Sequence, residues 1–250
     1  MKTICLYVSF LMSLTLAAQN VKSLFNQANE AYKKGDYQTA ITAYEKALQT
    51  DSIAPELYFN LGNAYYKLNR IAPSIYYYEK ALKLNPDDED AHYNLQLANQ
   101  MKLDKIDHVP QNILARFKTK MNRLFTYDTW AWLSVLSAFL GLLVFIIFLF
   151  TKNANIKRVT FVVMWLSLFL MMFTWYNAAL GQKISAVKYA IIFTPKVDLM
   201  TEPNLTSDIV TTLHEGAKVR LLKTDGDWDL VKLADGKKAW IPQSDIKVIN

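Results

Sequence analysis

The sequence predicts a membrane protein in three parts: an all-α repeat array, a two-helix transmembrane hairpin and a small C-terminal all-β barrel. Three observations predict it. Between Val21 and Asp88 the chain repeats itself at 34 residues; Thr129 to Thr151 and Val159 to Gln182 are 23 and 24 residues without a charge; and after Gln182 short alternating segments are broken by glycine, proline, asparagine and aspartate. The two apolar stretches lift the hydrophobic fraction to 52%, while the flanks have the composition of soluble domains. The expected parts are a signal peptide at 1–18, repeat helices with a final capping helix at 19–102, a linker and juxtamembrane amphipathic helix at 103–128, spans at 129–151 and 159–182 around a cytoplasmic loop at 152–158, and the barrel at 187–250.

At the N-terminus Lys2 precedes the apolar run Ile4 to Leu16 and the small residues Ala17 and Ala18. That order is a secretory signal, cleaved or retained as an anchor, and either form exports the repeat array. Cys5 is the only cysteine and is lost on cleavage. The mature chain then has no disulfide, no thiol nucleophile and no cysteine-ligated metal.

In the repeats, Ala40, Tyr44 and Ala47 recur as Ser74, Tyr78 and Ala81, and Glu45-Lys46-Ala47-Leu48 recurs as Glu79-Lys80-Ala81-Leu82. Small residues at these helical positions let paired helices approach, and aromatic rings fill the adjoining gaps. Tyr58, Leu61, Gly62, Tyr65, Tyr78, Ala81 and Pro86 in the second unit, and Leu24, Ala28, Gly35, Tyr37, Ala40, Tyr44 and Ala47 in the first, resemble the tetratricopeptide pattern. Pro86 ends the second unit, and Asp87 to Asp90 supply carboxylates to a fifth helix that covers the last apolar face.

The resemblance implies peptide or protein binding on a concave surface. Its candidate residues are Asn26, Asn29, Lys33, Asn60, Asn63, Tyr66, Lys67, Tyr93 and Asn94. Asn26, Asn60 and Asn94 are 34 residues apart. They either grip an extended main chain, since each amide donates and accepts, or hydrogen-bond along the stack. Tyr78 is core by register, with Tyr76 or Tyr77 exposed.

Gln111 to Phe125 reads as a helix with Ile113, Leu114, Phe117, Met121, Leu124 and Phe125 on one face and Arg116, Lys118, Lys120 and Arg123 on another. It lies in the membrane interface or packs on the repeats. Each apolar stretch exceeds the roughly 20 residues that cross a hydrocarbon core. Trp130, Trp132, Trp175 and Tyr176 would share one interface of an antiparallel pair. The turn Thr151 to Arg158 carries Lys152, Lys157 and Arg158 with no acid, which places it in the cytoplasm and both soluble parts in the periplasm. The four cations before the first span oppose this orientation; the signal and the loop outweigh them.

The formal charge of +6 is concentrated beside the spans: residues 101–128 hold 6 basic and 3 acidic groups and the loop 3 and 0, whereas residues 19–100 hold 8 and 10. Membrane lipid headgroups account for it, and no nucleic acid is implied.

Five strands are expected, at Ala190–Phe193, Val197–Met200, Ala217–Leu222, Trp228–Leu233 and Lys238–Ile241. Leu213, Gly216, Val219, Gly226-Asp227-Trp228, Val231, Asp235-Gly236 and Ala239-Trp240-Ile241 resemble the bacterial SH3-like domain. Trp228 and Trp240 either line a groove or belong to the core. Asp198, Met200, Glu202 and Ala239 stand where that pattern has other residues, which favours protein contact over cell-wall binding.

His92, His108 and His214 are dispersed, and there is no phosphate-binding glycine loop or serine elbow, so neither catalysis nor a cofactor or metal is expected. Signal, all-α tetratricopeptide array, two-helix transmembrane hairpin and C-terminal all-β SH3-like barrel together resemble the BatE-type proteins of the Bacteroides aerotolerance operon. The resemblance implies a non-catalytic inner-membrane scaffold whose partners are von Willebrand A-domain membrane proteins and associated Bat/MoxR components, with peptidoglycan as the alternative ligand.

Overall fold

The computed structural model describes residues 21–50, 54–104, 113–122 and 124–249. The expected signal peptide lies outside them. The chain forms two compact units. One unites the N-terminal helices, up to His108, with the C-terminal residues from Lys188; the other is Val109–Val187.

In the first unit α1 (residues 21–33) and α2 (Tyr37–Leu48) make one helical pair, α3 (Pro55–Lys67) and α4 (Ile71–Leu84) a second, and α5 (Glu89–Gln100) stands alone after them. Gly35, at φ 80°, makes the turn between α1 and α2 that a β-carbon would strain. Asp36 caps α2 through Thr39 N, and Asp88 caps α5 through Ala91 N. The small residues lie at the helix contacts: Ala28, Ala40, Ala47, Ala64, Ser74 and Ala81 are fully buried. A β-carbon on Gly62 would stand 2.7 Å from the ring of Tyr78.

The C-terminal part has seven strands, two more than the sequence suggests: β1 (Tyr189–Ile192), β2 (Lys196–Met200), β3 (Ile209–His214), β4 (Lys218–Asp225), β5 (Trp228–Lys232), β6 (Lys238–Pro242) and β7 (Ile246–Val248). The additional strands are β3 and β7. Both are edges of the antiparallel order β3-β2-β6-β5-β4-β1-β7. An edge strand needs one buried contact row at most, so β3 hides only Leu213 fully and β7 only Ile246. Leu213 and Ile246 nevertheless join one core with Ile192, Leu199, Val219, Val231 and Ile241, so the sheet is rolled around a single centre.

In the second unit α6 (Ile113–Asn122) precedes α7 (Tyr127–Phe150) and α8 (Ala154–Ser185). The latter two are long and apolar enough to cross a membrane. Buried positions recur every seven residues, at Trp130, Ser137 and Val144 on α7 and at Thr160, Ser167, Thr174 and Gly181 on α8. That interval is the seam of a left-handed helical pair. Gly141 admits Ser167, whose Oγ would lie 2.7 Å from a β-carbon there. The buried hydroxyls bond their own helices, as Thr174 does to Leu170 O at 2.8 Å, while Ser134 Oγ donates across the pair to Met171 O at 3.3 Å.

Two expectations for this unit change. The turn is only Thr151–Asn153: Asn153 accepts from the N–H groups of Asn155 and Ile156, so helix begins at Ala154 and Lys157 and Arg158 stand on it. Trp130 does not face outward with Trp132, Trp175 and Tyr176. It is buried between Phe125 and Phe173, edge-on to both, with its indole N–H donating to Asn122 O at 3.4 Å. Asn122 itself donates to Asn177 O at 2.7 Å, which ties α6 to the end of α8.

Candidate functional site

The array and the barrel share a buried seam. Strand β1 shows why: Ala190 and Ile192 point into the barrel core, yet Ile191 between them is also fully buried. Ile191 and Ile249 pack with Ala72, Ile75 and Tyr78 of α4 and Ala98 of α5, and Phe59, Tyr66, Tyr76, Leu95 and Phe193 close the margin. Alternate residues of a strand face opposite sides, so β1 is covered by its own barrel on one side and by the array on the other. The unpaired α5 therefore does not complete the array alone. It leaves Ala98 and Leu95 beside Ile75, and the barrel occupies the place where another helix would stack.

Polar groups rim this seam. Lys218 Nζ lies 2.7 Å from Glu79 Oε2, Lys83 Nζ donates to Ile249 O at 3.3 Å, and Tyr76 donates to Val248 O at 3.3 Å. At the far end of α5, Asp104 accepts from the backbone N–H of His214 at 2.6 Å, with its other oxygen 2.9 Å from His214 Nδ1. Gly216, at φ 83°, is the tight point: a β-carbon there would meet Ile71 and Ile75 at 3.1 Å and Lys102 at 3.2 Å. Burial pulls the Lys102 ammonium below its ordinary pKa, with Glu79 and Asp104 opposing the shift.

The sequence-predicted concave residues divide into two groups. Tyr44 donates to Asn29 Oδ1 at 2.5 Å and Asn60 approaches the same oxygen at 3.4 Å; one repeat later Tyr78 donates to Asn63 Oδ1 at 2.6 Å and Asn94 to the same atom at 2.8 Å. The bonded pairs are thus Asn29 with Asn60 and Asn63 with Asn94. They differ from the 34-residue trio because adjacent first helices meet one helical turn out of step. Tyr66 is packed at the seam, while Asn26, Lys33, Lys67 and Tyr93 remain exposed, Lys33 paired with Glu30 at 3.0 Å.

Neither Tyr76 nor Tyr77 is a free surface ring. Tyr77 stacks on Tyr65 at 5.5 Å and 8°, and Tyr76 meets Phe193 edge-on at 5.6 Å. Burial, reinforced by Tyr32, pushes the Tyr44 phenol up to about 12, and burial raises Tyr65, Tyr77 and Tyr78 further. The folded state then holds protons that an unfolded chain releases near its ordinary value of 10.0. The resulting stability is complete below pH 10 and is lost as the pH rises through about 12. Alkaline titration is expected to show tyrosinate absorbance and loss of helical circular dichroism rising together.

On the barrel, Trp228 and Trp240 alternate with the core residues Asp229, Val231, Ala239 and Ile241. Both therefore lie on the outer face, where Trp228 pairs with Pro242 and Leu230 with Trp240. Lys223 Nζ stands 5.9 Å from the Trp240 ring centroid and Leu222 is partly exposed. Neither ring belongs to the barrel core. Asp198 is engaged by Thr212 across the β2–β3 pair, and Asp229 by Thr224.

Comparison with known families gives three matches. Residues 28–69 match a TPR repeat model, residues 55–88 a tetratricopeptide repeat model, and residues 197–247 a bacterial SH3 domain model. No curated protein matches the chain. The chain therefore carries tetratricopeptide repeats and a bacterial SH3 domain, separated by two helices of membrane-spanning length.

Proposed function

We propose that this is a non-catalytic, membrane-anchored docking protein whose repeats and SH3 domain act as one binding head. The observation that carries this reading is the seam around Ile75, Ile191 and Ile249. Two modules fixed to each other lose no linker entropy when a partner engages both, so weak contacts add efficiently. Two spans return the chain to the side it left, which agrees with contact between its two soluble ends. The signal-like N-terminus and the cationic turn support a periplasmic head. The finer reading is a Bat-type envelope assembly with von Willebrand A-domain and MoxR-type partners, supported by the order of the modules.

Detergent-solubilised full-length protein tests it by co-purification of membrane partners. Tyr93→Ala with Lys33→Glu and Lys67→Glu is expected to weaken capture by roughly tenfold or more, since aromatic anchors dominate such surfaces. Unchanged capture would remove the array's open face from the function. The outward tryptophans favour cell-wall binding as a second reading: there, Trp228→Ala with Trp240→Ala would abolish co-sedimentation with peptidoglycan while leaving protein partners bound.

A further inference from the structure

The turn end of the hairpin combines an apolar groove with uncompensated positive charge. Phe148, Ala154, Lys157, Arg158, Phe161 and Val162 line an open groove of about 490 Å³. Its floor is aromatic, with the Phe148 and Phe161 rings 6.2 Å apart, and its mouth is cationic, with Lys157 Nζ 5.3 Å from the Phe148 centroid. The sequence has no carboxylate between Asp128 and Asp198, so nothing acidic on these helices neutralises Lys157 or Arg158. The N-terminus of the 32-residue α8 adds its positive dipole end at the same place.

We propose that this groove holds one anionic phospholipid, its phosphate between Lys157 and Arg158 and an acyl chain along Phe148, Phe161 and Val162. A bilayer is the one surrounding that presents a chain and an anion together at this depth. The proposal rests on the reading of α7 and α8 as spans.

The test uses the full chain in phosphatidylcholine vesicles, titrated with brominated phosphatidylglycerol or brominated phosphatidylcholine. Bromine quenches nearby indoles; Trp165, with its ring 6.4 Å from Phe161, is the reporter, and Trp165→Phe supplies the blank. Phosphatidylglycerol is expected to quench preferentially. Lys157→Gln or Arg158→Gln should each lower that preference roughly fivefold, the value of one interfacial charge. Lys152→Gln, outside the groove, should change it little. Equal quenching by the two lipids in the unmodified protein would overturn the proposal. An equal loss for Lys152→Gln and Lys157→Gln would also overturn it, because diffuse surface charge would then suffice. Excess glycerol phosphate should not relieve the quenching; relief would make a soluble phosphate the ligand. A carbonate wash is run in parallel. Retention of the chain upholds the spans whatever the lipid result, and release removes both readings.

Discussion

Replacing Ile191 with aspartate is expected to divide the array–barrel unit into two separately melting parts. Ile191 is fully buried against α4 and α5, while its neighbours Ala190 and Ile192 fill the barrel core. The substitution therefore strikes the seam and spares the barrel interior. Losing the buried side chain costs about 1.5–3 kcal/mol, and an unpaired carboxylate in its place costs more than the seam can retain. Ile191→Val, which keeps the shape and removes one methylene, should cost only about 0.5–1.5 kcal/mol and preserve a single transition. Calorimetry of the full chain in detergent, with hydrogen exchange of the α5 amides, distinguishes the outcomes. A single unfolding step at the unmodified temperature for Ile191→Asp would mean that the seam contributes nothing to stability.

Asn63→Leu is expected to destabilise the array by roughly 2–4 kcal/mol, from two lost hydrogen bonds and a stranded tyrosine hydroxyl. Asn63 Oδ1 accepts from Tyr78 at 2.6 Å and Asn94 at 2.8 Å, and Tyr78 has no exposed surface to rotate into. Asn29→Leu should cost less, because Asn60 approaches Asn29 only to 3.4 Å. Exposed Asn26 provides the contrast: Asn26→Leu should fall within about 0.5 kcal/mol of the unmodified protein. Thermal unfolding ranks the three variants. Equal stability for all of them would return these asparagines to a binding role alone.

The legible and illegible parts of the chain differ in how far apart their causes lie. Ala40 with Ser74 and Ala47 with Ala81 are readable because each recurs at the repeat period and each answers to its own helical pair. The Tyr44–Asn29 and Tyr78–Asn63 bonds carry the same period, both spanning 15 residues, so a search for repeated pairs instead of repeated residues would find them. The seam leaves a fainter trace. Ala190-Ile191-Ile192-Phe193 is an unbroken apolar run with Ala190, Ile191 and Ile192 all buried, whereas buried and less buried residues alternate along β5 and β6. Three consecutive buried residues are the mark of a strand covered on both faces. Nothing in Ile75 or Ala98 announces which later segment will cover it. Trp130 is hard to place for a related reason: position near a span end favours the interface, but Phe125 and Phe173 enclose this ring.

The bond from Tyr76 to Val248 joins residues 172 apart in sequence. At ribosomal speeds of roughly 5–20 residues per second, α4 emerges on the order of ten seconds or more before β7 exists to cover it. Both apolar helices are made during that wait, with Ile75 and Tyr76 still uncovered. The newborn array is thus a sticky intermediate that the C-terminal barrel closes, through Ile191, Phe193 and Ile249, and its survival depends on whatever shields it until the barrel is made.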